Sequence, residues 1–122
     1  MTLGIFLLTA VAGGVGAGAR YLLDLAVSAL VGTAMPWGTL LVNVTGSFAL
    51  GLAVGLIPES AALVALGTGL LGGYTTFGSV SAAGALMLRE RRRPAALANI
   101  LGTLALTVAA AGAGLALSGV LR

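Results

Sequence analysis

The side chains able to do chemistry in this sequence are almost all uncharged, and they fall in three clusters. The first is Gly72-Gly73-Tyr74-Thr75-Thr76-Phe77-Gly78-Ser79, near the middle of a long apolar run. Glycines and threonines are poor choices for a helix interior. The stretch reads either as a kink that helps packing or as a break that offers backbone carbonyls and N–H groups to an ion. The second cluster is Asn43, with Thr39 and Ser47 four residues to either side and therefore on the same helical face. A carboxamide inside an apolar run needs partners. It reads as hydrogen-bonding glue between helices or as a donor lining a path for an anion. The third is Asn99, Thr103 and Thr107, which recur every four residues. Such a stripe must face protein or water, although threonine also bonds its own helix carbonyls. Arg20 and Asp24 stand four apart and read as an ion pair at the level of the membrane interface.

What is missing narrows the chemistry further. There is no cysteine and no histidine, and the only carboxylates are Asp24, Glu59 and Glu90. Disulfides, the usual zinc sites and histidine acid–base catalysis are excluded, so the composition argues against an enzyme. No carboxylate lies deep in an apolar run, which disfavours a proton relay and hence a small multidrug-type transporter. No Walker-type glycine loop is present for a nucleotide. Amide, hydroxyl, backbone N–H and aromatic edge remain, the last carrying positive quadrupole charge. These donors suit a small, hard anion that must shed water without being trapped by a full charge.

Such groups need a scaffold in a membrane. Of 122 residues, 59% are hydrophobic and 7% are charged. A chain this short and apolar cannot hide its surface in a water-soluble core. Four spans are expected, at about residues 3–31, 37–57, 61–88 and 95–121, each of at least the ~20 residues a bilayer requires. They form a single domain, an all-α membrane protein of four transmembrane helices with the third broken near mid-membrane. Thr2 to Val15 is apolar without a basic start and is read as part of the first span, not as a signal peptide. Pro36 and Pro94 precede spans two and four, and Ser60 is the expected N-cap of span three. Trp37 suits an interface.

The 20 glycines include the pairs Gly14/Gly18, Gly51/Gly55 and Gly69/Gly73, which are expected to let helices approach closely within the protomer or across a subunit interface. The net charge of +3 rests mainly on the run Arg89 to Arg93. It is read as a topology signal, not a nucleic-acid surface. That loop and residues 32–36 are then cytoplasmic, and the termini and Glu59 lie outside.

Three stretches together resemble the fluoride channel family (Fluc, also called CrcB), and the resemblance covers nearly the whole chain. Gly14-Val15-Gly16-Ala17-Gly18-Ala19-Arg20-Tyr21 is similar to its first-span signature. Gly38-Thr39-Leu40 with Asn43, Gly46-Ser47-Phe48 and Gly51 is similar to its second-span motif, and Gly72 to Phe77 to the start of its third-span break. The resemblance implies passive export of fluoride through the cell membrane by an antiparallel dimer with two narrow pores. It implies that Asn43 lines a pore, that Phe77 presents its ring edge to the ion, and that Thr103 and Thr107 form a hydroxyl track. Thr76 and Ser79 of the break join this set, and Arg20 would sit at an aqueous vestibule. Gly72 and Thr75 would give backbone carbonyls to a structural sodium ion at the dimer centre.

The chain departs from the family's pattern in three ways. Val80 stands where a second aromatic is usual, Asn99 stands where a fourth-span tyrosine is usual, and the arginine bias predicts one fixed orientation. A homodimer and a heterodimer with an oppositely oriented paralogue therefore both remain open, as does a non-conducting or half-pore subunit.

Overall fold

The ends of the helices are set by residues that cannot continue them or that bond their free N–H groups. In the computed structural model, which describes Met1–Arg122, Thr2 caps α1 (Leu3–Val31) by accepting from Ile5 N at 3.3 Å. Gly32, at φ +81°, ends it in the left-handed region. α2 (Trp37–Leu56) starts directly after Pro36. Ser60 caps the third span, its hydroxyl accepting from Leu63 N at 3.3 Å. The last helix runs Arg93–Leu121 with Pro94 in its first turn. All regular structure is helical, and four helical segments are long and apolar enough to cross a membrane. The 20 residues of α2 give a length of about 30 Å, the thickness of a bilayer's hydrocarbon core.

The third span, Ala61–Arg89, is composite. It begins as α3 (Ala61–Leu63), passes into a π-helical stretch (Val64–Leu71), and resumes as α4 (Gly72–Tyr74). Thr75, Thr76 and Phe77 are not helical, and α5 (Gly78–Arg89) follows. Thr75 is extended, at φ −79° and ψ 158°. The π-helical segment was not legible in the sequence: Gly67, Thr68 and Gly69 mark a weak helix, but only the tertiary neighbours select the wider winding.

α2 packs chiefly on the last helix, α6 (Arg93–Leu121), and α1 chiefly on the third span. Glycine makes both contacts close. A Cβ on Gly51 would run into the Ala111 carbonyl, and one on Gly114 would meet Phe48 O and Leu52 N. The pair Gly51/Gly55 thus packs as the sequence suggests, Gly55 lying against Ser118. Gly69 and Gly73 do so as well, against Thr9 and Gly13.

The first-span pair differs. Gly14 and Gly18 have open space beyond them, and Gly16 instead lies against Leu70 O and Tyr74 N. Spacing alone fixes which residues share a face, not which face meets the neighbour.

Only 18 of 122 residues are buried, and Leu7, Val11, Leu22, Leu101, Leu104 and Val108 are among the large side chains left exposed. That apolar exterior, together with the four long apolar helices, makes this a multi-pass membrane protein. At one end of the bundle Arg92 Nη2 donates to Ala34 O at 2.9 Å, so the arginine loop and residues 32–36 lie together, as the charge pattern requires. Arg91 turns the chain there at φ 59°.

Candidate functional site

The break in the third span strips several backbone groups of their helical partners. Asn43, on the buried face of α2 and only 5% exposed, bonds one set of them. Its Oδ1 accepts from Thr76 N at 2.7 Å, and its Nδ2 donates to Thr76 O at 2.9 Å. The amide is therefore glue between helices and, with one N–H to spare, still a wall of the cavity beside it. Thr76 in turn caps α5: its hydroxyl accepts from Ser79 N at 3.1 Å and donates to Ser79 Oγ at 3.3 Å. Thr75 Oγ1 donates to Leu71 O at 2.9 Å, but the Thr75 carbonyl accepts no hydrogen bond.

Arg20 takes up another freed group. Its Nε donates to Gly73 O at 3.4 Å, a carbonyl whose usual helical partner would be the N–H of Phe77, in the break. The expected pair of Arg20 with Asp24 does not form. The one ion pair is Arg92 with Glu90, at 3.8 Å. Asp24 instead packs its carboxylate against Gly38 in the first turn of α2, the positive end of that helix.

Beside the break lies an open groove of about 320 Å³ between α2, α5 and α6. Asn43, Thr75, Thr76, Phe77, Thr103 and Thr107 all line it, so three separated stretches of sequence converge on one space. The Phe77 side chain is on its rim, 84% exposed. Ser79, Arg20 and Gly72 do not line it. Ser79 is turned back to Thr76, Arg20 lies on the α1 side of the break, and Gly72 is exposed at the end of the π-helical stretch. The two threonines of α6 differ. Thr107 donates to Thr103 O at 2.7 Å and to Leu104 O at 3.1 Å, whereas the Thr103 hydroxyl, in a residue 9% exposed, has no partner in the protomer. Groove residues not singled out from the sequence as site residues are Ser47, Val80, Ile100 and Leu104. Ser47 carried a signal, sharing the face of Asn43, and Ile100 and Leu104 sit at helical spacing from Thr103 and Thr107.

The resulting space is lined by neutral polar side chains together with aliphatic and aromatic ones, with no charged residue among them. It offers an anion neutral hydrogen-bond donors. The family described as CrcB-like protein, Camphor Resistance (CrcB), matches residues 7–115. The chain belongs to the CrcB family. Its relatives include a protein of Leifsonia xyli subsp. xyli (strain CTCB07) named Fluoride-specific ion channel FluC 1, 43% identical over 98% of this chain and 90% of the relative. Others are Fluoride-specific ion channel FluC of Solibacter usitatus (strain Ellin6076), 44% identical over 86% of this chain and 90% of the relative, and that of Rhodospirillum centenum (strain ATCC 51521 / SW), 42% identical over 93% and 94%.

In this CrcB chain two of the three departures noted in the sequence, Val80 and Asn99, touch each other. Asn99, 5% exposed on α6, donates from Nδ2 to Val80 O at 3.1 Å. Asn99 is thus not a free member of a polar stripe but a tie between α6 and the first turn of α5.

Proposed function

We propose that the protein is a fluoride-selective channel subunit, not an enzyme, through which fluoride leaves the cytoplasm passively and its toxicity is reduced. The observation that carries this is the groove in which Asn43, Thr76 and Thr103 converge without a single charged side chain. Fluoride is small and strongly hydrated, and neutral donors replace its water without holding it as tightly as a cation would. The names of the relatives agree with this reading. Hydrogen fluoride enters as the neutral acid and ionises inside. The anion then runs down a membrane potential that supplies about 2.3 kcal/mol per charge per 100 mV.

The working unit is an antiparallel dimer in the cell membrane. The exposed Phe77 ring supports it, since its positive edge would then reach the partner's groove. Sodium fits the break: the Thr75 carbonyl is extended away from the helix and accepts no hydrogen bond, and Gly72 is exposed beside it. These two carbonyls, with their counterparts in the second subunit, would hold the ion as hard oxygen ligands. Such an ion would supply fixed positive charge there.

Purified protein in liposomes, read with a fluoride electrode, tests the function. Efflux of fluoride without a chloride leak is expected, and a leak of both would remove the selectivity. Thr103→Val is expected to slow that efflux more than Thr107→Val, because the Thr107 hydroxyl is already spent on its own helix. Equal effects of the two substitutions would overturn that ranking.

A second reading is favoured by Val80, a side chain with no π edge, which lines the groove where the family has an aromatic. On that reading the chain is half of a heterodimer and conducts only with an oppositely oriented paralogue. Reporters fused to the C-terminus decide the orientation. One sidedness supports the heterodimer, and an equal mixture rules it out.

A further inference from the structure

Thr103 lines two cavities. One is the groove described above, and the other, of about 190 Å³, lies between the start of α2 and α6, walled by Met35, Trp37, Leu40, Asn99 and Leu106. Val80 borders only the first and Asn99 only the second. The septum between them is therefore built from Thr103 and the hydrogen bond from Asn99 Nδ2 to Val80 O, at 3.1 Å. All three residues are more than nine-tenths buried.

Two features make this septum unusual. The Thr103 hydroxyl has no partner in the protomer, although every side-chain polar atom fully shielded from solvent has one. It therefore opens into cavity space, where a buried hydroxyl left unbonded is costly unless something polar visits it. The bond itself is made to the first turn after the break, which is otherwise held from its own side by the Thr76 cap and is hydrogen-bonded to α6 only through Asn99. Gly84 allows α6 to come this close, since a Cβ there would stand 3.0 Å from Ile100 Cδ1 and 3.8 Å from Asn99 Nδ2. The second cavity reaches Met35 and Pro36, in the connection that Arg92 ties to the arginine loop.

We propose that the Asn99–Val80 hydrogen bond is a gate between two chambers of one anion path. The second cavity receives a small anion from the arginine end of the bundle. When the bond opens, the first turn of α5 swings from α6 and the chambers join at the Thr103 hydroxyl, which serves the ion on either side. Asn99 is a positioning residue: it acts through Val80 and sets when the path is continuous. The transported ion rests on the fluoride reading above; the gate itself does not.

The chain lacks cysteine, so Val80→Cys gives a single thiol in a clean background. With the bond intact, that thiol, at a position only 6% exposed although it borders the groove, is expected to react slowly with a small methanethiosulfonate reagent. Adding Asn99→Ala should speed the reaction roughly tenfold, the size expected for losing one buried hydrogen bond. Asn99→Leu, which keeps the volume and removes the donor, should do the same, which covers the case in which the alanine variant does not fold. Ser118→Ala removes a hydroxyl buried elsewhere on α6 and should change nothing. Unchanged reactivity in both folded Asn99 variants overturns the gate. In liposomes Asn99→Ala should let chloride through as well as fluoride, and selectivity equal to wild type would overturn the two-chamber path. If the thiol becomes reactive while wild type passes no fluoride, alone or with a partner chain, the gate stands and the fluoride reading fails.

Discussion

Asn43→Asp should abolish fluoride conduction. The substitution hardly changes the shape of the side chain, so what it tests is charge and the direction of one hydrogen bond. The carboxylate can still accept from Thr76 N, where Asn43 Oδ1 does so at 2.7 Å. It cannot donate to Thr76 O, and two oxygens then face each other across the 2.9 Å now bridged by Nδ2. The carbonyl loses its only partner, at a cost of about 1–3 kcal/mol. A fixed negative charge also stands in the wall of the groove. Against an anion 4 Å away it is worth about 4 kcal/mol at an effective dielectric of about 20. That is more than a hundredfold in occupancy, enough to take flux below detection in the liposome assay. Asn43→Leu separates the two effects, since it loses both bonds to Thr76 without adding charge. It should fold less stably but keep more flux than Asn43→Asp. Wild-type flux from a well-folded Asn43→Asp protein would remove Asn43 from the path.

The importance of Asn43 was legible in the sequence, but its partner was not. An amide in an apolar helix announces that it must be bonded, and its depth places it near the middle of a span. That the bond goes to the backbone of Thr76, 33 residues on, depends on how α2 and the third span meet. The starts of three spans were legible because proline and serine act locally: Pro36, Ser60 and Pro94 each do in the fold what their chemistry dictates in isolation. The threonines of α6 share a face by spacing, yet spacing says nothing of hydroxyl rotamers, and that is where Thr103 and Thr107 diverge. Arg20 was misread because its nearest opposite charge in sequence is Asp24. The break offers it a bare carbonyl at Gly73 instead, and Asp24 finds the start of α2.

Gly16→Ala should prevent α1 from docking, whereas Gly14→Ala should leave the protomer folded. The two glycines are two residues apart, and only Gly16 meets a neighbour within the protomer. The methyl group of an alanine at position 16 would run into the carbonyl oxygen of Leu70 and come within 2.8 Å of Tyr74 N. Both are backbone atoms, so no rotamer change relieves the clash. They lie at the end of the π-helical stretch, whose wider turns shift every following residue around the helix axis and so set which groups face α1. Either α1 moves away, which also opens the contact of Gly13 with Gly73, or the π-helical winding is lost. Overpacking of this kind costs about 3 kcal/mol or more where the neighbour is rigid, a large share of the ~5–15 kcal/mol that holds a domain together. Gly14 has nothing within 4 Å. Alanine there adds helix propensity, about 1 kcal/mol in favour of the folded helix. Thermal unfolding in detergent, followed by helicity and by size-exclusion profile, compares them directly. A Gly16→Ala protein that melts with wild type would show that the α1 contact is looser than drawn here. A Gly14→Ala protein that keeps its helicity but elutes as a monomer would place the open glycine face of α1 at the subunit interface. The small residues of the first span would then serve two contacts, Gly16 within the protomer and Gly14 between protomers.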